Sequence, residues 1–552
     1  MRKPKKIGIK MKDISNDLIT VMNDRRVWFD RTIAKAEAYF TKKRYELAAV
    51  YLEIAATYAS FYHLGLFVSD RIESMAAEIS SLCINKESKG VPKDKVERVL
   101  HVISMVFYPY GGHSKLMQNW ISYDKAGRSD IILTEQKQGK VPDIAFDFYY
   151  ERGSKVIFLK DRDEDILTRA QRLYDLSVDY DVVVFHINPS DIIPLIAFSG
   201  TDKSVIFMNQ ADHRFWVGRN ASNIVVNFRK IGNDLSIKRR MISEDNLFLL
   251  PIPLARVLKI SKKEARNRLN IDEKSIMIFS VASSYKYNPN GDDGIHRILL
   301  PIVEKHRNVK VIVVGPDISE PYWNDVYNQT DGRVEAVGLK GDIEWYYAAA
   351  DLYLDSYPVG SITSLLDAGK YKLPIFTLIK NKSLMDVDEI SLESIDFSSS
   401  SFDEIIGKLS YYISHEKERV ELGEECYKMI SKYHMGENWI SSLEQLYQKA
   451  LSKEKIKETD SDGSNSNYDK NDASLVFLYA KGRTRKHEYY SCAKKLKRAL
   501  PFWDNLRNNL CIIISAFNNR DILYLIMPHT IDFVKKQKAH YFAKVKRGIT
   551  PL

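Results

Sequence analysis

The 552-residue chain is 45% hydrophobic and 28% charged, with a formal net charge of +10, which is ordinary for a globular cytosolic protein of three or four domains. The charge is concentrated at one end. Residues 475–552 hold 16 Lys/Arg against 4 Asp/Glu, a local +12 that leaves −2 for the rest, so total charge is no argument for a nucleic-acid binder. Four widely spaced cysteines (Cys83, Cys426, Cys492, Cys511) form no CxxC pair, which argues against a zinc site or disulfide framework and for a reducing compartment. The basic start, MRKPKKIGIKMKD, has no apolar segment after it and does not read as a signal peptide. No apolar run approaches the about 18 residues of a spanning helix.

In chain order, residues 14–83 read as helical, with apolar and aromatic residues at helical spacing and small residues (Ala48, Ala49, Ala55, Ala56) where helices pack closely. The stretch resembles one tetratricopeptide-type hairpin, but arrays of that kind need about three repeats, so a helical cap on the next domain is the favoured reading. Residues 1–95 form this N-terminal segment and end in a polar linker at 85–95. Over 96–255, short apolar runs (ERVLHVISMVF, SDIILTEQ, SKVIFLK, DVVVFHI, KSVIFMNQ, ASNIVVNF) alternate with helices and predict a parallel sheet covered on both faces. The glycine loop YGGHS follows the first strand, where ligands of such sheets bind. This puts Gly111, Gly112 and His113 in a cleft position.

Residues 256–452 repeat the pattern (SIMIFSVA, VKVIVVG, VEAVG, DLYLDS, LPIFTL) and close with helices from Phe402. Pro251 and Pro253 in LFLLPIPLARVL mark a hinge. The polar stretch 453–474 reads as a flexible linker, and 475–552 as a basic helical tail suited to an anionic membrane surface or acidic partner.

The stretch 351–378 is the most informative. DLYLDS is a strand, Tyr357–Gly360 a turn, and a helix opens at Ser361 with Thr363 and Ser364 in its first turn. Unpaired amides and hydroxyls at a helix start favour an anion. Asp367, four residues after Thr363, projects from the same face and suits a sugar hydroxyl. The alternative is a well-capped βαβ unit with a surface acid. Lys286, between a strand and Pro289, suits a phosphate and can neutralise a departing diphosphate in place of a metal. His113 and His213, the latter beside Asp212, have the chemistry of a general base, against a structural hydrogen bond as the plainer role for either. His186 is a weaker candidate, and Phe215 and Trp216 read as core.

Two consecutive α/β domains with these motifs resemble GT-B glycosyltransferases, over residues 98–450. SVASSYKYNP (280–289) resembles the segment in which protein O-GlcNAc transferases and related bacterial group 1 enzymes place a basic residue on the donor diphosphate, here Lys286 with Ser284 nearby. SITSLLDAGKYKLP (361–374) resembles their second signature. It implies phosphate contacts from Thr363 and Ser364, beside Ser361 at the helix start, and a ribose contact from Asp367. Val337, Gly338 and Leu339 match the loop that contacts the uracil, and NQADHRFWVG (209–218) and YGGHS match cleft loops of the first domain. The resemblance implies a transferase and does not extend to 475–552; the cysteines and the start of the chain point to the cytoplasm, and the basic tail suits the inner membrane face. The transferase would take a hexosyl or N-acetylhexosaminyl group from a nucleoside diphosphate-sugar, UDP-linked, to a protein or glycan. No metal or other cofactor and no nucleic acid would be needed. A sugar-nucleotide epimerase of the same fold, or a degenerate scaffold, are the alternatives. Two departures stand out: Val359 replaces the acid of many retaining enzymes, and Lys372 replaces a usual glycine.

Overall fold

A computed structural model of the chain describes residues 14–86, 95–108, 112–162, 164–289, 292–380 and 390–457, together with Asp472, Leu475, Cys492 and Leu500. The rest of the basic tail, and Gly111 of the glycine loop, lie outside the described residues. The chain divides into two compact units: Met1–Leu66 with Asp165–Leu167 and Asn465–Leu552, and Phe67–Glu164 with Thr168–Ser464.

In the first unit, α1 (Ile14–Thr41) and α2 (Tyr45–Phe61) pack as a hairpin. The alanines at 48, 49, 55 and 56 are fully buried, which lets the backbones approach. Tyr39 stacks on Tyr51 at 5.5 Å. Asp472, inside the stretch read as linker, is buried and bonds His63 at 2.6 Å. A carboxylate with that partner does not behave as free chain.

The second unit holds two wholly parallel sheets. Seven strands, β1 (Arg98–Ile103), β2 (Arg128–Leu133), β3 (Val156–Phe158), β4 (Val182–His186), β5 (Ser204–Met208), β6 (Ile224–Asn227) and β7 (Leu247–Leu249), lie in the order 3-2-1-4-5-6-7. Six more, β8 (Ile276–Val281), β9 (Val309–Val314), β10 (Val334–Ala336), β11 (Leu352–Leu354), β12 (Ile375–Leu378) and β13 (Ser398–Ser399), lie in the order 10-9-8-11-12-13. Both sheets reverse direction beside their first strand, the doubly wound order whose crevice opens at the carboxyl ends of the strands. The α/β class with two Rossmann-like sheets is as the sequence predicts. β7 and β13 go unread in the sequence, because three residues beside prolines, and two serines, carry no strand pattern.

The helix α3 (Asp70–Cys83) belongs with the first sheet. Its buried Glu73 accepts the N–H groups of Gly218, Arg219 and Asn220 at 2.8, 3.3 and 2.9 Å, and Ser80 donates to the Ile196 carbonyl. The Pro251–Pro253 hinge is tied down: Trp439 Nε1 donates to the Pro251 carbonyl at 2.7 Å and Asn119 to that of Pro253 at 2.9 Å. The helix Gly436–Ser452 returns to the first sheet domain, where Tyr447 accepts from Trp120 Nε1 at 3.0 Å. Residues 453–457 follow it down rather than starting a free linker. Ile456 N–H donates to Ser222 O at 2.9 Å, and the Ile456 side chain is buried. Among the described residues, no helix is long and apolar enough to cross a membrane.

Candidate functional site

The turn between β11 and the helix Ile362–Lys370 is fixed from two sides. At the end of β11, Asp355 is 2% exposed. Its carboxylate accepts Ser356 N–H at 2.8 Å, Ser361 N–H at 3.0 and 3.1 Å, and the Thr377 hydroxyl at 3.2 Å. From the loop after β8, Lys286 Nζ donates to the Gly360 carbonyl at 2.9 Å, and the Lys286 carbonyl accepts Val359 N–H at 3.2 Å. Burial pushes the Asp355 carboxyl up to about 6, against the pull of Lys286 and its amide donors. Burial also lowers the Lys286 ammonium, and Asp355 partly restores it. The pair therefore sets the local charge, and the bonds around it preorganise the turn.

Ser361 is the N-cap, but its hydroxyl caps no amide and lies 3.1 Å from Ser364 Oγ. Thr363 is exposed and Ser364 half-buried. The helix start thus presents hydroxyls and first-turn amides, the chemistry of an anion cradle. Asp367 does not point to open solvent with Thr363, as the shared-face argument predicts. It is buried between Lys370 Nζ at 2.7 Å and Lys115 Nζ at 3.2 Å. Burial raises this carboxyl, but the two ammonium groups hold it below its usual range. Lys115 lies on α4 (Gly112–Tyr123), which leaves the carboxyl end of β1. One ion pair therefore joins early turns of the two helices that open the crevices of the two sheets.

Other predicted donor residues gather at the same edge of the second sheet. Ser284 donates to both Glu320 carboxylate oxygens, each at 2.9 Å, and Glu320 also accepts Asp317 N–H at 3.1 Å. Asp317 bridges to Val337. A Cβ on Gly338, with φ +74°, would meet Asp317 Oδ2 at 2.9 Å, so the turn needs glycine there. Leu339 is exposed.

On the first sheet, the loop after β5 carries His213, mostly buried, with Nδ1 3.3 Å from Asp212 Oδ1. Arg229 grips Asp212 with two bonds, at 2.9 and 2.7 Å. Burial pushes the Asp212 carboxyl up, but Arg229 and His213 outweigh it and hold it well below the carboxylate range. Burial lowers His213, so the ring is neutral at pH 7. The Asp212 contact favours the proton on Nδ1 and the lone pair on Nε2. Phe215 and Trp216 are core, with Trp216 stacked on Phe207 at 4.1 Å. His186 is buried and bonds His101 at 3.1 Å, so its position at the end of β4 does not reach solvent. Gly112 opens α4 in open space. The side chain of His113 lies outside the described residues.

Sequence reasoning misses Asp355, Glu320, Lys115 and Lys370. For Asp355 the signal was present: an acid ending an apolar strand directly before a Pro/Gly turn. For Lys115 and Lys370 there was none, because lysines on helices are usually solvated.

The sequence matches no protein-family model and no curated protein. Among solved structures, the chain is similar to a glycosyltransferase from Rickettsia africae, at 13% identity and a TM-score of 0.50, over 65% of this chain and 99% of that one. It is also similar to HepE of Anabaena, solved in complex with UDP, at 12% identity and a TM-score of 0.50, over 64% and 99%. At such identity the likeness is one of fold, and the fold is the GT-B arrangement expected from the motifs.

Proposed function

We propose that the chain is a glycosyltransferase that takes a nucleoside diphosphate-sugar, UDP-linked, and transfers the sugar to a hydroxyl of a protein or glycan without an obligatory metal. The observation that carries this reading is the turn locked between Asp355 and Lys286. It holds a cation beside an uncapped helix start at the carboxyl edge of the second sheet. In the proposed step, the acceptor oxygen attacks the anomeric carbon while that carbon's bond to the diphosphate oxygen breaks. The leaving diphosphate keeps the electron pair, and its charge is met by Lys286 and the first-turn amides. The acceptor proton goes to a base on the first sheet. His213 suits that role, since it is neutral and oriented by Asp212, as a base near pH 7 requires. Val359 offers no carboxylate beside the sugar, which favours direct displacement with inversion.

Asp367 is the proposed ribose acid, released from Lys115 to the ribose hydroxyls. A donor screen with NMR of the product anomer tests the reading. Transfer or slow hydrolysis of one nucleotide-sugar is expected. Epimerised donor without release of the nucleotide would point to the epimerase chemistry instead, and no turnover of any donor would sink the catalytic reading.

A further inference from the structure

The helix Ile362–Lys370 has a second end. Its C-terminus reaches a cavity of about 410 Å3 at the amino edge of the second sheet, between the hinge and the helix Glu416–His434. The floor is carbon-rich, with Leu258, Leu373, Pro374 and Val420, and Tyr371 stacks on Tyr347 at 5.5 Å in its wall. Leu258 and Val420 are 55% and 56% exposed, so the apolar lining reaches from the floor to the mouth of the cavity.

The same walls carry Lys262, Lys370, Lys372 and Arg419 with Asp351 and Glu416; Lys370 is paired with Asp367 at 2.7 Å and Arg419 donates to the Tyr412 and Ile413 carbonyls, which leaves Lys262 and Lys372 as the exposed cations of the wall. Asp351 is shared, because Arg266 bonds its other oxygen at 2.5 Å, so Lys262 has half a counter-ion. Lys372 pairs with Glu424 at 2.8 Å, both about half exposed, a contact worth little in water. Lys372 also sits at φ +62°, where a side chain is costly and glycine is not. Its ammonium stands at the wall of a cavity with large apolar side chains, the setting in which one polar group fixes the orientation of an apolar ligand.

We infer that this cavity binds a small amphipathic anion, an aromatic or alkyl phosphate or carboxylate, with its carbon body on Leu258 and Val420 and its charge between Lys262 and Lys372. The site is separate from the proposed donor cradle and does not rest on it. The probe is phenyl phosphate, titrated into the full chain by ligand-observed NMR. Saturable binding near about 1 mM is expected, the affinity a ligand of this size reaches at ordinary efficiency. Inorganic phosphate should bind at least about tenfold more weakly, since it lacks the ring. Lys372→Gly relieves the backbone and keeps the fold, yet should weaken the probe about tenfold by removing a charge-assisted bond. Val420→Asp should do the same from the apolar side, while Lys238→Ala, at an exposed lysine of the first-sheet domain, leaves the affinity unchanged. The inference is overturned by non-saturable uptake to about 10 mM, by equal affinity in Lys372→Gly and Val420→Asp, or by an equal loss in Lys238→Ala, which would make the effect one of net charge alone.

Discussion

Asp367→Asn removes the negative charge between two lysines that differ greatly in exposure. The Lys115 side chain is 42% exposed and Lys370 only 5%. Losing the Lys115 pair should cost about 0–1 kcal/mol. Lys370 cannot reach water easily and keeps the Ala255 carbonyl at 3.4 Å and the Tyr371 ring, 5.7 Å to its centroid. Stripping one partner from a buried pair costs about 3–5 kcal/mol, and the remaining carbonyl places the expected loss near the low end, about 3 kcal/mol. Unfolding entropy of about 2.1 cal/mol/K per residue, over a unit of roughly 400 residues, gives about 0.8 kcal/mol per degree, hence a fall in Tm of about 4 °C.

The assay is calorimetry of the wild type, Asp367→Asn, Lys370→Met and the double variant, following the transition of the sheet-bearing unit. The double variant should recover most of the loss, because no buried charge is left unpaired. The sign with pH is fixed too. Asp367 titrates lower in the folded state, so its stabilisation is present above the unfolded carboxyl value of about 3.9 and fades as pH drops through the lowered folded value. The gap between wild type and variant should therefore close in acid. A Tm for Asp367→Asn within about 1 °C of wild type at pH 7, or no recovery in the double variant, would refute the reasoning.

Lys286→Ala should weaken donor binding or slow transfer by about 2–4 kcal/mol, read as Kd by calorimetry and as kcat/KM. Burial lowers His101 to about 3, so it opposes unfolding above about pH 6.5 and that contribution is lost as pH falls toward 3, by about 1.4 kcal/mol per unit. His101→Phe should flatten this part of the Tm–pH curve. Gly315 has φ +118° and a Cβ there would lie 1.8 Å from the Ala282 carbonyl oxygen, so Gly315→Ala should not yield soluble protein, whereas Gly112→Ala should shift Tm by little. Removing residues 476–552 should leave UDP affinity unchanged while lowering sedimentation with anionic liposomes; equal sedimentation, or loss of UDP binding, would count against a tethering tail.

Most of the fold was legible because many of its strands carry short apolar runs bounded by turns, such as VVVF before His186 and VIVV before Gly315. Buried parallel strands need that pattern. The helices were legible from their period, and Phe402–Ser414, Glu416–His434 and Gly436–Ser452 begin and end where the sequence puts the closing helical stretch. The helix boundary at Ser361 follows from the glycine and serines around it. What could not be read were the partners. Nothing in the order of residues tells that Asp367 meets Lys115 from the other sheet domain, that Glu73 staples a loop 145 residues away, or that Lys372 takes a left-handed backbone. Each depends on distant chain segments meeting, and periodicity carries no information about that.

Isothermal titration of UDP into the full chain, beside Lys286→Ala and Ser364→Ala, tests the central claim most directly. Saturable binding below about 1 mM, weakened at least tenfold by Lys286→Ala and less by Ser364→Ala, is the predicted result. No heat of binding at millimolar UDP from folded wild-type protein, or an affinity indifferent to Lys286, would contradict a nucleoside diphosphate site at the carboxyl edge of the second sheet.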